Sequence, residues 1–209
     1  MMPEFEVIDL NNWQRKVHFN FFKDFDMPFF NIVAEVDVTR THQFAKDTNR
    51  SFFLTYLFYS LKTINEIPEL KLRILNDQLV RFKKINGSST ALKPDNTFQY
   101  SYFDYHLDID TFQLEARKNI ESQIKQEGLL ISERLDMVYY SIIPWVSFTS
   151  FQHARKTGNE DFIPRIVFGK TKQNEGKLML PVSVEVNHCL VDGLHVGHFF
   201  EVYQQHLNC

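Results

Sequence analysis

Apolar and polar positions in this chain repeat with two periods, and the switches between them mark out helices and strands. Across residues 52–67, Tyr56, Leu57, Tyr59, Ser60, Ile64 and Ile67 recur at helical spacing. Pro68 ends that run, because it brings no amide hydrogen to a continuing helix. A terminal helix is predicted over residues 194–207, with Val196, Phe199, Phe200, Tyr203 and Leu207 down one face. A polar-faced helix is predicted over residues 109–126, stopped at Gly128. Residues 11–22 read as a short helix capped by Asn11 or Asn12, and residues 37–41 turn into another. Strand-like runs occupy residues 29–38, 98–103, 137–143, 145–151, 164–171 and 177–186. Residues 70–75 and 78–82 read as a hairpin around Asn76-Asp77. The sum is an α/β chain, with helices covering one side of a sheet. No repeat, low-complexity tract or linker interrupts it, so residues 1–209 are expected to form one domain.

Composition narrows the class. The chain has 209 residues, enough for a sizeable core, with 44% hydrophobic and 23% charged residues, as in an ordinary globular protein. A net charge of −3 gives no reason to expect nucleic acid or an anionic membrane as partner. No apolar run reaches the roughly 18 residues of a membrane helix, and the first residues lack the basic and apolar regions of a secretory signal. A cytoplasmic location is therefore expected. Two cysteines, Cys189 and Cys209, suggest no disulfide framework. Phenylalanine is the outlier at 21 copies, which points to an aromatic core with some rings left to line an apolar pocket or a subunit interface.

The candidate chemistry lies at Asn187-His188-Cys189-Leu190-Val191-Asp192-Gly193, where the alternating strand Leu180 to Val186 runs into the terminal helix. A histidine at such a junction stands outside regular pairing while two rigid elements hold it. Asp192 followed by Gly193 marks a tight turn whose carboxylate braces the backbone or accepts a salt bridge. The pattern suits a positioned general base. Cys189 adjoins that histidine, but its flanks do not form a thiol-protease pattern. His188, Asp192, His195 and His198 also recur at three- and four-residue intervals, which leaves a zinc site as an alternative.

H-x-x-x-D-G before a terminal helix resembles the active-site signature of coenzyme A-dependent acyltransferases, and of the chloramphenicol acetyltransferases in particular. Three further blocks agree in order and spacing. They are Trp13-Gln14-Arg15-Lys16-Val17-His18-Phe19, Pro144-Trp145-Val146-Ser147-Phe148-Thr149-Ser150-Phe151, and His195-Val196-Gly197. The resemblance implies a two-layer α/β sandwich, acetyl-CoA as co-substrate, no metal, and a homotrimer in which the histidine of one subunit faces its neighbour's pocket. It assigns His188 as general base and Ser141 as oxyanion donor, with Asp192 and Arg15 paired in support of the site. It places Phe21, Phe22, Phe30, Phe98, Phe151 and Val167 around a hydroxyl-bearing aromatic acceptor such as chloramphenicol. Lys170 and Lys172 are candidate phosphate contacts, although solvated strand-end lysines are the plainer reading.

Several positions depart from the family pattern. Phe22 stands where a tyrosine is usual, Val167 replaces a threonine, His153 replaces an apolar pocket residue, Asn187 replaces a histidine, and Asp26 and Pro28 occupy positions that are usually small or apolar. Changes of polar partners alter which acceptor a site takes. Acyl transfer is thus better supported than any one acceptor. A non-catalytic binding or sensor protein on the same fold is the alternative from another class. A dihydrolipoamide acyltransferase shares H-x-x-x-D-G, but the lipoyl domain and Ala/Pro-rich linker usual there are missing from this sequence.

Overall fold

A computed structural model describes residues 3–129, 131–155 and 161–208. The chain begins with β1 (Phe5–Val7), α1 (Lys16–Phe22), β2 (Phe29–Asp37), α2 (Thr39–Asp47) and α3 (Phe52–Glu66). A 3-10 turn, Pro68–Lys71, leads into β3 (Leu72–Leu75) and β4 (Gln78–Phe82), followed by β5 (Asn86–Leu92), β6 (Phe98–Phe103) and α4 (Ile109–Gln123). Then come β7 (Met137–Ile142), β8 (Arg165–Phe168), β9 (Lys172–Asn174), β10 (Lys177–Asn187) and α5 (Gly193–Leu207).

The main sheet runs β2-β10-β8-β7-β5-β6, with β9 added to β10; β1, β4 and β3 make a smaller second sheet. Among the described residues only the β5–β7 and β7–β8 pairs are parallel, so the sheet is mixed and largely antiparallel. One face carries Val36, Val182, Val184, Ile166, Phe168, Val138 and Tyr140, all buried in the core with Leu57, Leu61 and Ile64 of α3 and Val196, Phe199 and Tyr203 of α5. Ring contacts tie the layers: Tyr56 lies 4.9 Å from Phe168, and Phe112 of α4 lies 5.6 Å from Phe103. Each buried Leu, Ile or Phe in that layer contributes about 1.5–3 kcal/mol. The register puts Asn31, Ser183, Glu185, Arg165, Tyr139 and Ser141 together on the opposite, polar face.

Most of the expected elements form, including the fold class of helices over one side of a mixed sheet. The hairpin turn at Asn76 (φ 49°) and Asp77 (φ 61°) takes the left-handed geometry that matches strand twist. Gly128 adopts φ 72° beyond α4, which ends at Gln123. The segment 145–151 is not a strand. Both edges of β7 and of β8 are already paired, so the chain beyond Pro144 finds no free ladder; it holds on instead through Val146 O, which accepts from Lys170 N at 2.9 Å. Strand β8 is shorter than the expected 164–171, and α1 starts at Lys16, with Asn11 and Asn12 bound to the Asp9 carboxylate rather than capping it. Strand β5 was not foreseen. Its Asn-Gly-Ser-Ser composition resembles a loop, yet Gly87 sits so close to the Phe103 ring that a Cβ would approach it to 2.1 Å. Cys209 lies outside the described residues.

Candidate active site

Strand β10 ends at Asn187, and the next residue, His188, is anchored by its amide donating to Pro28 O at 2.7 Å. Arg15 Nη2 donates to the His188 carbonyl at 3.1 Å, fixing the other end of the residue. Phe22 stacks on the imidazole (4.0 Å between centroids, 13° between planes), and Phe30 lies 4.6 Å away on a tilt. The side chain remains 32% exposed, so a substrate can reach it.

The tautomer follows from the partners. Nδ1 stands 3.1 Å from Val191 O, in an aligned hydrogen bond, and 3.1 Å from Asp192 Oδ1. Both are acceptors only, so Nδ1 carries the proton and Nε2 carries the lone pair. Burial, helped by the nearby Arg15 and His18, lowers the pKa of His188 from its ordinary 6.5. A neutral base is the competent form, and it is lost only as pH falls through that depressed value. The acid limb of kcat/KM is therefore expected below pH 6.5, with a plateau at neutrality; a limb centred above 6.5 would contradict this electrostatic picture.

Asp192 opens α5 and forms an ion pair with Arg15, whose guanidinium is largely buried. The pairing foreseen for these two residues is thus present, and it clamps the N-terminal segment against the turn that bears His188. Trp13, Arg15, His18, Glu69, Asp192 and His195 line a cleft of about 610 Å³ behind that turn.

The remaining candidates divide between two regions. Phe22 and Phe30 touch the imidazole, and Phe21 joins them through Phe22 at 5.0 Å while 62% exposed. Phe25 completes this cluster, 5.4 Å from Phe22; its i, i+3 spacing from Phe22 was the available sequence signal. Ser141 lies elsewhere. It pairs with Val167, which pairs with Ser183, five residues before His188. Two strand spacings and five residues of rise separate Ser141 from His188 by roughly 19 Å within one chain. Val167 itself is fully buried in the sheet, and Phe98 begins β6 at the far edge.

Between these regions the polar face holds an ionic cluster that sequence reasoning did not identify. Arg155 reaches Glu185 at 2.5 Å and Asp161 at 2.8 Å, Arg165 reaches Asp161 at 2.6 Å, and His153 lies 3.5 Å from Glu185. Burial alone would raise the Glu185 carboxyl, but His153 and Arg155 outweigh it and hold it at about 2. Phe151 packs 4.9 Å from His153, so the wall expected to be aromatic is partly ionic. A glutamate within the apolar strand Val182 to Val186 was the visible hint.

The other reactive groups have separate roles. Cys189 is buried, which raises its thiol to about 11, far from a thiolate nucleophile. His195 accepts from the Asp192 amide while His198 faces Glu201 at 3.6 Å, and among the described residues no three His, Cys, Asp or Glu side chains are grouped to hold a metal. Lys172 pairs with Glu35 at 2.6 Å, and Lys170 is exposed. No helix among the described residues is long and apolar enough to cross a membrane.

A mixed sheet with an imidazole presented on H-x-x-x-D-G defines the acyltransferase class. The dihydrolipoamide acetyltransferase of Azotobacter vinelandii shares this fold with a TM-score of 0.66 at 15% identity, covering 88% of this chain and 82% of that one. A solved chloramphenicol acetyltransferase superposes with a TM-score of 0.91 at 32% identity, over 98% of this chain and 100% of the other. The family model for chloramphenicol acetyltransferase matches residues 3–204. The chloramphenicol acetyltransferase of Proteus mirabilis is 28% identical over 202 residues (96% of this chain, 93% of that one), and chloramphenicol acetyltransferase 3 of Escherichia coli is 27% identical over 206 residues (96% and 95%). The chain belongs to the chloramphenicol acetyltransferase family, an acetyl-CoA-dependent family of acyltransferases.

Proposed function

We propose that the protein moves acetyl from acetyl-CoA to a hydroxyl of chloramphenicol or a similar small aromatic acceptor, acting in the cytoplasm as a homotrimer of single-domain subunits. The observation that carries this reading is the setting of His188: Nδ1 is held by a carbonyl, which leaves the lone pair on Nε2, and the side chain is 32% exposed. Nε2 takes the acceptor's hydroxyl proton as its oxygen attacks the thioester carbonyl. The oxyanion of the tetrahedral intermediate accepts a hydrogen bond from the Ser141 hydroxyl. Collapse of the intermediate expels the coenzyme A thiolate, which recovers the proton from Nε2. Ser141 lies too far from His188 to serve it within one chain, so a second subunit supplies the serine, together with Phe98, Phe151 and the wall around Val167. Phe21, Phe22 and Phe30 form the aromatic side of the pocket next to the base.

Free thiol release from acetyl-CoA, followed with chloramphenicol and a panel of other hydroxyl and amine acceptors, tests the reading. Acceptor-dependent release with chloramphenicol is the expected result. Release only with another acceptor would retain the reaction and discard the substrate, and acceptor binding without any turnover would favour a sensor.

A further inference from the structure

The imidazole of His188 is not held by a side chain acting alone. Its Nδ1 donates to Val191 O at 3.1 Å, and the N–H of that same peptide unit, on Asp192, donates to His195 Nδ1 at 2.9 Å. A ring nitrogen that accepts leaves its partner nitrogen protonated, so His195 Nε2 carries a hydrogen, and it faces Glu69 Oε1 at 4.0 Å. Two hydrogen bonds thus join His188, the Val191–Asp192 peptide and His195, and the Glu69 carboxylate acts on His195 as a nearby charge.

We propose that His195 and Glu69 are positioning residues for the general base, acting on His188 through the Val191–Asp192 peptide. The physical basis is polarisation along a hydrogen-bond chain. Pulling on the amide N–H makes the carbonyl on the other side of the plane a stronger acceptor, and a stronger acceptor better stabilises the imidazolium that forms when Nε2 takes a proton. The chain also fixes the plane itself, and with it the direction in which Nε2 points. Asp192 Oδ1 stands equally near Nδ1 while Oδ2 pairs with Arg15, and the carbonyl of His188 itself also acts on the ring; the Val191 carbonyl is the aligned partner that connects His188 to a second side chain. His195 meets the requirement of remaining neutral. Burial, with Arg15 and His198 nearby, depresses its pKa, against an opposing pull from Glu69. His195 also accounts for the His195-Val196-Gly197 block: at the third helical position of α5 it does what a glutamine does in a capping box, accepting from the amide of the helix cap.

The proposal rests on His188 being the base, and its test separates the two. The measurements are kcat, KM, the acid limb of kcat/KM and the NMR shift of the His188 Nδ1 proton, in His195→Ala, His195→Gln and Glu69→Gln. His195→Ala is expected to lower kcat about tenfold, the scale of one lost hydrogen bond, with KM nearly unchanged. The acid limb should move to lower pH and the Nδ1 proton upfield. His195→Gln, whose amide oxygen still accepts from Asp192 N, should recover most of the loss. Glu69→Gln, at a partly exposed position, should shift the proton in the same direction by less. An Nδ1 proton and acid limb unchanged in His195→Ala would overturn the relay, as would a glutamine variant no better than alanine. If His195→Ala does not fold, Glu69→Gln decides by the same readout. The proton shift needs no turnover, so a mistaken assignment of the base appears instead as full activity in His188→Ala.

Discussion

His188→Ala is expected to lower kcat by ~10²–10⁴-fold, the usual worth of general-base assistance, while leaving the fold and both substrate affinities near wild type. An alcohol at neutral pH is a poor nucleophile until its proton is withdrawn, and the Nε2 lone pair of His188 is assigned to that purpose. The fold should tolerate the change because the backbone anchors of residue 188, its amide to Pro28 O and its carbonyl to Arg15, do not use the side chain. The loss of packing falls on Phe22 and Phe30, which are partly buried against the margin of the core and lose one ring contact each. Steady-state kinetics beside a thermal melt would check both halves. Near wild-type kcat in a folded variant would remove the base from the mechanism.

Ser141→Ala carries the second large effect, about 10²–10³-fold in kcat for one lost oxyanion donor. Ser150→Ala is the control. Ser150 lies in the conspicuous Pro144 to Phe151 block, yet it is exposed in an irregular segment, whereas Ser141 is held in β7 between two paired strands. A rigid strand is the better support for a hydroxyl that must meet a developing charge. Turnover that falls more in Ser150→Ala than in Ser141→Ala would reverse the assignment.

Much of this was legible in residue order. The stripe Tyr56 to Ile67, the stop at Pro68 and the Asn76-Asp77 turn are local signals with local causes, and they hold in three dimensions. Strand β5 was opaque because its small polar residues are selected by tight contact with Phe103, a tertiary demand that leaves no periodic trace. The segment 145–151 carries strand-like residues but no free sheet edge, and only topology shows that. The candidate site divides in the same way. Arg15, Asp192 and His188 were visible as residue types in motifs, and the structure brings them together. Motif spacing does not show that Ser141 lies two strands away from His188's own strand. Nor does it show that a backbone peptide links His188 to His195, since main-chain groups leave no mark on residue identity.

The separation of roughly 19 Å between Ser141 and His188 makes one measurement more direct than any single variant. Coexpressing His188→Ala and Ser141→Ala chains yields mixed oligomers, and in a cyclic trimer each mixed assembly has one interface where an intact His188 meets an intact Ser141. With random assembly the account predicts roughly a quarter of wild-type activity, far above either parent alone. Mixed oligomers no more active than the parents would contradict it.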